Sequence, residues 1–405
     1  MNFPGPVLKT SWAKSCNQLF WDIGMKIGLY TREQPPSLGG GYVLRDDVEK
    51  AAVAIQGRHE FQLVSVPRLL RAVPRAKRKI RHVFRRPPEN DTFIPAVFAE
   101  EVKRLGLDIL WFNHFEPIYV GVPYVLNIFD LQHRLQPWFP EVSANGQWET
   151  REAQLGDGIR RAAIVTVGSQ EAKEQLCHFY GVPLDNVKVL PFPTPQKAID
   201  LATGKIQMPQ KQDVRSKYAI KNDFLYYPAQ FWPHKNHVNL IHALKVLKDR
   251  GRAVSLVLTG ADHGNQPHVE KVARELGLAD QVHFCGFVPY EDVLTFYREA
   301  IALSYVSLFG PENLPPLEAM ALGCPVILSD IEGAEALHDG IPLMVNPLSP
   351  DSIADAVERV LLDTKGLESR IAAGRAFAAA NSCARYMDRF QDILDEFVPI
   401  RRCWS

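Results

Sequence analysis

The sequence predicts two doubly wound α/β domains that face each other across a ligand cleft. Three observations lead there. Short apolar stretches rich in Val, Ile and Leu recur along the chain, as strands buried on both faces require. Helical patterns fall between them, and such alternation builds parallel sheets. The strands are too many for one sheet, and a proline-rich stretch separates them into two groups.

In chain order, residues 1–24 show no periodicity and no continuous apolar run before a small-residue cleavage site, so they are set apart as an extension of unknown role. The first strand is 25–30, followed by Pro35, Pro36 and the glycines Gly39, Gly40 and Gly41. Eleven further strands are expected at 61–66, 108–112, 124–129, 163–167, 187–190, 224–227, 255–259, 282–284, 301–305, 325–328 and 342–345. Helices are expected at 46–55, 95–105, 170–180, 237–250, 268–276, 290–300, 315–322 and 350–362. The break falls in 191–216, which carries Pro191, Pro193, Pro195 and Pro209. The first domain is then 25–200 and the second 201–380, with 381–405 a helical segment that packs back on the first.

The 405 residues are 46% apolar and 23% charged, which excludes a disordered or collagen-like chain. Lys plus Arg equals Asp plus Glu at 46 each, which argues against a globally basic nucleic-acid binder. The apolar stretch 109–129 is interrupted by Asn113, His114, Glu116, Pro117 and Pro123, so it forms two strands and a turn, not a membrane span. The six cysteines form no C-x-x-C pair and no zinc pattern; they are expected as free thiols in a reducing compartment. Residues 68–86 hold nine Arg and Lys and no acid. That run is either a solvated basic face or a peripheral contact with an anionic membrane, where each basic residue is worth about 1 kcal/mol.

Two segments carry chemistry. In 309–327, a loop with Gly310 and Pro311 leads into a helix near Pro315, whose amides and dipole favour an anion. Glu318 lies about one turn in, where a carboxylate suits the diol of a ribose and not a phosphate. In 226–237, an apolar strand ends in a loop, and Lys235 stands just before a helix, the place for a cation that meets a diphosphate. Loops at strand ends are where open α/β sheets bind ligands. Gly40 and Gly41 let the backbone approach a ligand, or form an ordinary flexible loop. Asp130 and His133 follow a strand that opens on the same cleft; the alternatives are a helix N-cap for Asp130 and a buried structural role for His133.

Residues 228–243, 258–260, 282–289, 309–327 and 329–335, with 39–41, 127–133 and 164–169 in the first half, resemble the family 4 glycosyltransferases of the GT-B fold. That resemblance implies two Rossmann-like domains with the donor between them. It implies retaining transfer of a hexose, mannose or a related sugar, from a GDP- or UDP-linked donor to an acceptor hydroxyl. No other cofactor and no metal are implied, and no D-x-D triplet occurs in the chain. It assigns Lys235, Gln230 and His234 to the diphosphate region, and Glu312, Asn313, Leu314 and Glu318 to the donor. The family's first glutamate falls on Gly310, so Glu312 or Asn313 is expected to meet the sugar. The family's arginine five positions before the lysine is Gln230, with His234 or an arginine of the other domain as substitute. Its histidine before the aspartate is Phe129, which leaves His133 and His114 as candidates beside Asp130 and Lys235.

The expected setting is cell-surface glycan synthesis on a glycan or lipid-linked acceptor, in the cytoplasm or at the inner membrane face. The competing functions are a nucleotide-sugar epimerase on the same scaffold and a non-catalytic sugar-nucleotide-binding subunit.

Overall fold

A computed structural model describes residues 24–32, 40–65, 93–114, 117–207 and 213–404. Most of the N-terminal extension, Gly39 and the basic run 68–86 lie outside the described residues.

The first half contains β1 (Lys26–Tyr30), α1 (Gly40–Ala54), β2 (Glu60–Val64), α2 (Phe93–Leu105), β3 (Ile109–Phe112) and β4 (Tyr124–Asn127). It continues with α3 (Gln132–Leu135), α4 (Pro140–Ser143), α5 (Gln147–Arg161), β5 (Ile164–Val167), α6 (Gln170–Tyr180) and β6 (Val187–Val189). After the crossover come α7 (Gln196–Ala202), α8 (Val214–Lys217), β7 (Phe224–Pro228), α9 (His237–Asp249), β8 (Ser255–Thr259), α10 (Gln266–Glu275) and β9 (Val282–Gly286). Then follow α11 (Tyr290–Glu299), β10 (Ala302–Tyr305), α12 (Leu314–Leu322), β11 (Val326–Ser329), α13 (Ala334–Leu337) and β12 (Leu343–Val345). The chain ends in α14 (Pro350–Leu362), α15 (Thr364–Ala380) and α16 (Cys383–Arg401).

Two six-stranded sheets result, ordered β2-β1-β3-β4-β5-β6 and β12-β11-β10-β7-β8-β9, with parallel pairings throughout. Every expected strand is present, its ends shifted by at most two residues. Strands β3, β4 and β5 are buried along their whole length because helices cover both faces, which is why they lack polar alternation.

Three helical expectations need correction. Helix α1 starts at Gly40, not 46, so Gly40 and Gly41 lie in its first turn. Helix α5 was not expected because Gly156 and Gly158 interrupt a polar pattern. Gly158 is there for fit: a Cβ would meet Leu126 and Pro117 at 3.3 Å, and its carbonyl accepts from the Tyr124 hydroxyl at 2.6 Å. Helix α15 was also unexpected; its alanine-rich sequence gives little amphipathic contrast.

The expected domain boundary at 200/201 falls inside α7, whose Ala198 belongs to the core of the second sheet. The crossover lies just before α7, where Thr194 donates its N–H to the Asn381 carbonyl at 2.7 Å, so the outgoing and returning chains meet. Helix α16 then packs on the first sheet beside α1. Phe390 lies 4.0 Å, ring to ring, from Trp111 of β3, and both are fully buried. Among the described residues no helix is long and apolar enough to cross a membrane.

This packing predicts that Phe390→Ala destabilises the protein by about 3–5 kcal/mol through the cavity it leaves. Urea unfolding checks it. A loss below about 1 kcal/mol would mean that α16 is only loosely docked.

Candidate active site

The loop from β10 to α12 reaches the first domain. Gly310 has φ +76°, a region that side-chain-bearing residues avoid. That geometry explains why a glycine stands where the resemblance places a glutamate. Asn313 precedes α12 in an extended conformation, and its side chain does not cap the helix. Instead its Oδ1 accepts from the Tyr305 hydroxyl at 2.8 Å and from Lys235 Nζ at 3.3 Å.

Lys235 is placed from below. Asn236 takes the left-handed conformation at φ +59° and donates from Nδ2 to the carbonyls of Val306 (2.9 Å) and Pro347 (2.7 Å). Tyr227, on β7, donates to the Lys235 carbonyl at 2.6 Å. Lys235 Nζ then donates to the Tyr305 hydroxyl at 3.0 Å and sits 5.1 Å from that ring's centre.

The start of α12 offers fewer donors than its position suggests. Pro315 and Pro316 occupy its second and third positions and have no N–H, so Leu314 supplies the one amide of those three residues. The dipole remains, but the amides expected to meet an anion are largely missing. Gly40 brings a second helix start close: a Cβ there would touch Leu314 at 3.6 Å. Lys235, Asn313, Leu314 and Gly40 therefore come together at one junction of the two domains.

His234 is 7% exposed and stacked on Phe309, centroids 3.8 Å apart. Its Nδ1 pairs with the Glu141 carboxylate of α4, and its backbone N–H donates to the same group at 3.1 Å. Burial pushes its pKa down to about 4 despite Glu141, so it does not supply the missing cation. Gln230 accepts from the Trp232 indole at 3.0 Å. Asp130 accepts from the Gln132 N–H at 3.1 Å and from Arg151 at 2.6 Å, which ties it to the start of α3.

His133 is fully buried, with Nε2 2.8 Å from Glu152 and 3.2 Å from the Tyr180 hydroxyl. No reacting group can reach it there, so the structural alternative describes it. His114 packs against Tyr30 and Phe112, and burial pushes its pKa down to about 4.

Two carboxyls behave unexpectedly. Glu312 crosses to the first domain, where its Oε1 accepts the Phe192 N–H at 2.9 Å. Its carboxyl lies on Gly168, where any Cβ would collide with Oε2 at 1.4 Å. Burial pushes the Glu312 pKa up to about 8, against the pull of that hydrogen bond. Glu318 is 6% exposed, accepts from the Tyr290 hydroxyl on Oε1, and from the Tyr297 hydroxyl on Oε2 at 2.8 Å. Burial raises its pKa to about 7. Beside Glu312 and Asn313 a cavity of about 770 Å³ opens against Phe192, Leu317, Phe377 and Arg389.

Sequence reasoning did not find Glu141, Tyr305, Tyr290, Tyr297 or Gly168. Only Gly168 lay in a segment already singled out, residues 164–169; the others are partners supplied by tertiary contact.

Residues 210–377 match the family model "Glycosyl transferases group 1". An uncharacterized glycosyltransferase of Methanocaldococcus jannaschii is 26% identical over 367 residues, spanning 84% of this chain and 90% of its own. The O-antigen chain mannosyltransferase RfbU of Salmonella typhimurium is 27% identical over 202 residues, 50% of this chain and 52% of its own. Among solved structures, Anabaena HepE in complex with UDP and glucose superposes with a TM-score of 0.65 at 17% identity, covering 92% of this chain and 100% of that one. The architecture is the GT-B fold, as the sequence resemblance implied.

The raised pKa of Glu312 makes a stability prediction. Its carboxyl takes up a proton more readily folded than unfolded, so that stabilisation is complete below the ordinary value of 4.5 and is lost as pH rises through about 8. Between about pH 5 and about pH 9, the melting temperature of Glu312→Gln should fall less than that of the wild type. Parallel curves would mean that the Glu312 carboxyl is not held in its neutral form.

Proposed function

We propose, on the premise that residues 210–377 form a group 1 glycosyl transferase domain, that the chain transfers a hexose from a nucleotide-sugar to an acceptor hydroxyl with retention and without a metal. The observation that carries this reading is the placement of Lys235 against Asn313 and Tyr305, beside the first turns of α12 and α1. A departing diphosphate needs positive charge at that point. Lys235 supplies it, assisted by the helix dipoles.

Glu318 meets the ribose, and Glu312 and Asn313 face the sugar. The cavity beside them, about 770 Å³, has room for a hexose. At neutral pH the Glu312 carboxyl carries its proton and can donate a hydrogen bond to a sugar hydroxyl without repelling the diphosphate. A hexose donor agrees with the mannosyltransferase name of RfbU and with the UDP and glucose in the HepE structure.

In the transfer step the bond from the sugar's anomeric carbon to the phosphate oxygen breaks, and the bond to the acceptor oxygen forms on the same face. The acceptor's proton goes to the leaving phosphate oxygen. No protein nucleophile is needed, which suits a site where His133 is buried and His234 is neutral and engaged.

Lys235→Ala should lower transfer by about 100-fold or more, the size of one transition-state donor, with an unchanged circular dichroism spectrum. Excess chelator should leave wild-type transfer unaffected. Near-normal turnover by Lys235→Ala would remove this lysine from the phosphate site. A large loss on chelation would reject the metal-free step. Donor hydrolysis or epimerisation with no dependence on acceptor would favour the epimerase, and no turnover at all the binding subunit.

A further inference from the structure

The surroundings of Glu318 contain a second, unassigned group. Its two phenol partners are not equivalent. Tyr297 lies within α11, fully buried, with its ring edge-on to Tyr226 at 5.0 Å. It has no room to move. Tyr290 is the first residue of α11, packed on the core but with part of its surface exposed. It follows a loop in which Phe287 is 60% exposed. Its outer face carries the Lys197 ammonium, 4.9 Å from the ring centre, and Lys197 pairs with Glu291 at 2.7 Å. Both of those charged side chains are more than a third exposed, so this cover is weak and open to exchange.

Tyr290 therefore stands between Glu318 and solvent. Its hydroxyl gives the carboxylate one O–H donor, which is also what a single ribose hydroxyl gives. The two donors are chemically matched, so one can replace the other without leaving a buried acceptor unpaired.

We propose that Tyr290 is the gate of the ribose subsite: its hydroxyl holds Glu318 Oε1 until a ribonucleotide's ribose hydroxyl takes its place. The inference rests on the reading that Glu318 meets the ribose. Tyr297 stays on Oε2 and keeps the carboxylate aimed during the exchange. Donor binding then displaces one protein hydrogen bond, and affinity for the ribose is set lower than the site would otherwise give.

Titration calorimetry with UDP and GDP, and with their 2′,3′-dideoxy analogues, tests this. Tyr290→Phe keeps the ring and removes the competing donor. It should bind the ribonucleotides about tenfold more tightly, the worth of one hydrogen bond to a charged group. It should bind the dideoxy analogues as the wild type does, because they bring no hydroxyl to Glu318. Unchanged ribonucleotide affinity in Tyr290→Phe, or equal tightening for both nucleotide types, would overturn the gate. Glu318→Gln separates the two claims. If it weakens ribonucleotide binding while Tyr290→Phe does nothing, the ribose reading stands and the gate falls. If it leaves ribonucleotide binding unchanged, both fall.

Discussion

The site depends on a packing constraint at the start of α12. Leu314 and Leu317 of this helix are buried in the core of the first domain, with Trp111, Tyr386 and Phe390. Ala319, Met320, Ala321 and Leu322, on its remaining length, are buried in the core of the second. Each fully buried leucine is worth about 1.5–3 kcal/mol. One short helix is thus held from both sides, and the residues at its start have no freedom to drift. Glu312 is fixed against the first domain at Phe192 and Gly168 and Leu314 in its core, while Asn313 between them is fixed against Lys235 and Tyr305. A functional loop held by two cores is better positioned than one resting on a single surface.

The electrostatics follow from that burial. Packing removes water from His234, Glu312 and Glu318, and burial shifts all three toward their neutral forms. His234 is pushed down to about 4, Glu312 up to about 8 and Glu318 up to about 7. Lys235 and two helix starts stand at this junction, while Glu141, held below the usual carboxylate range despite burial by its hydrogen bonds with His234, is tied up against that ring. The prolines at the head of α12 reduce its amide donors, which places more of the task on Lys235. The pair of His234 with Glu141 and the edge-on contact of Phe139 with Phe309 close the other side of the junction. Gln136 adds a hydrogen bond to the Leu308 carbonyl at 3.2 Å.

The sheets were legible because buried parallel strands have a local signature. β3 is a continuous apolar run, and β4 and β5 carry one polar residue each, so they need no partner to be recognised. The places of Lys235 and Glu318 in the fold were legible for a related reason: each stands at a fixed distance from a strand end or helix start. What could not be read depends on tertiary contact. Glu312 and Gly168 are far apart in sequence, and nothing local says that a carboxyl must lie where Gly168 lacks a side chain. His133 looked available because it follows a strand. Its burial is decided by Glu152 and Tyr180, which come from two later helices. Helix α5 was hidden by two glycines, of which Gly158 serves close packing against Leu126 of β4.

The central claim is that the junction of α12, α1 and Lys235 is where the donor's diphosphate rests. A crystal structure of the protein with bound UDP or GDP tests it most directly. The account predicts phosphate oxygens within hydrogen-bond distance of Lys235 Nζ and the Leu314 amide, and a ribose on Glu318. A diphosphate bound away from Lys235, with the junction unchanged, would contradict it.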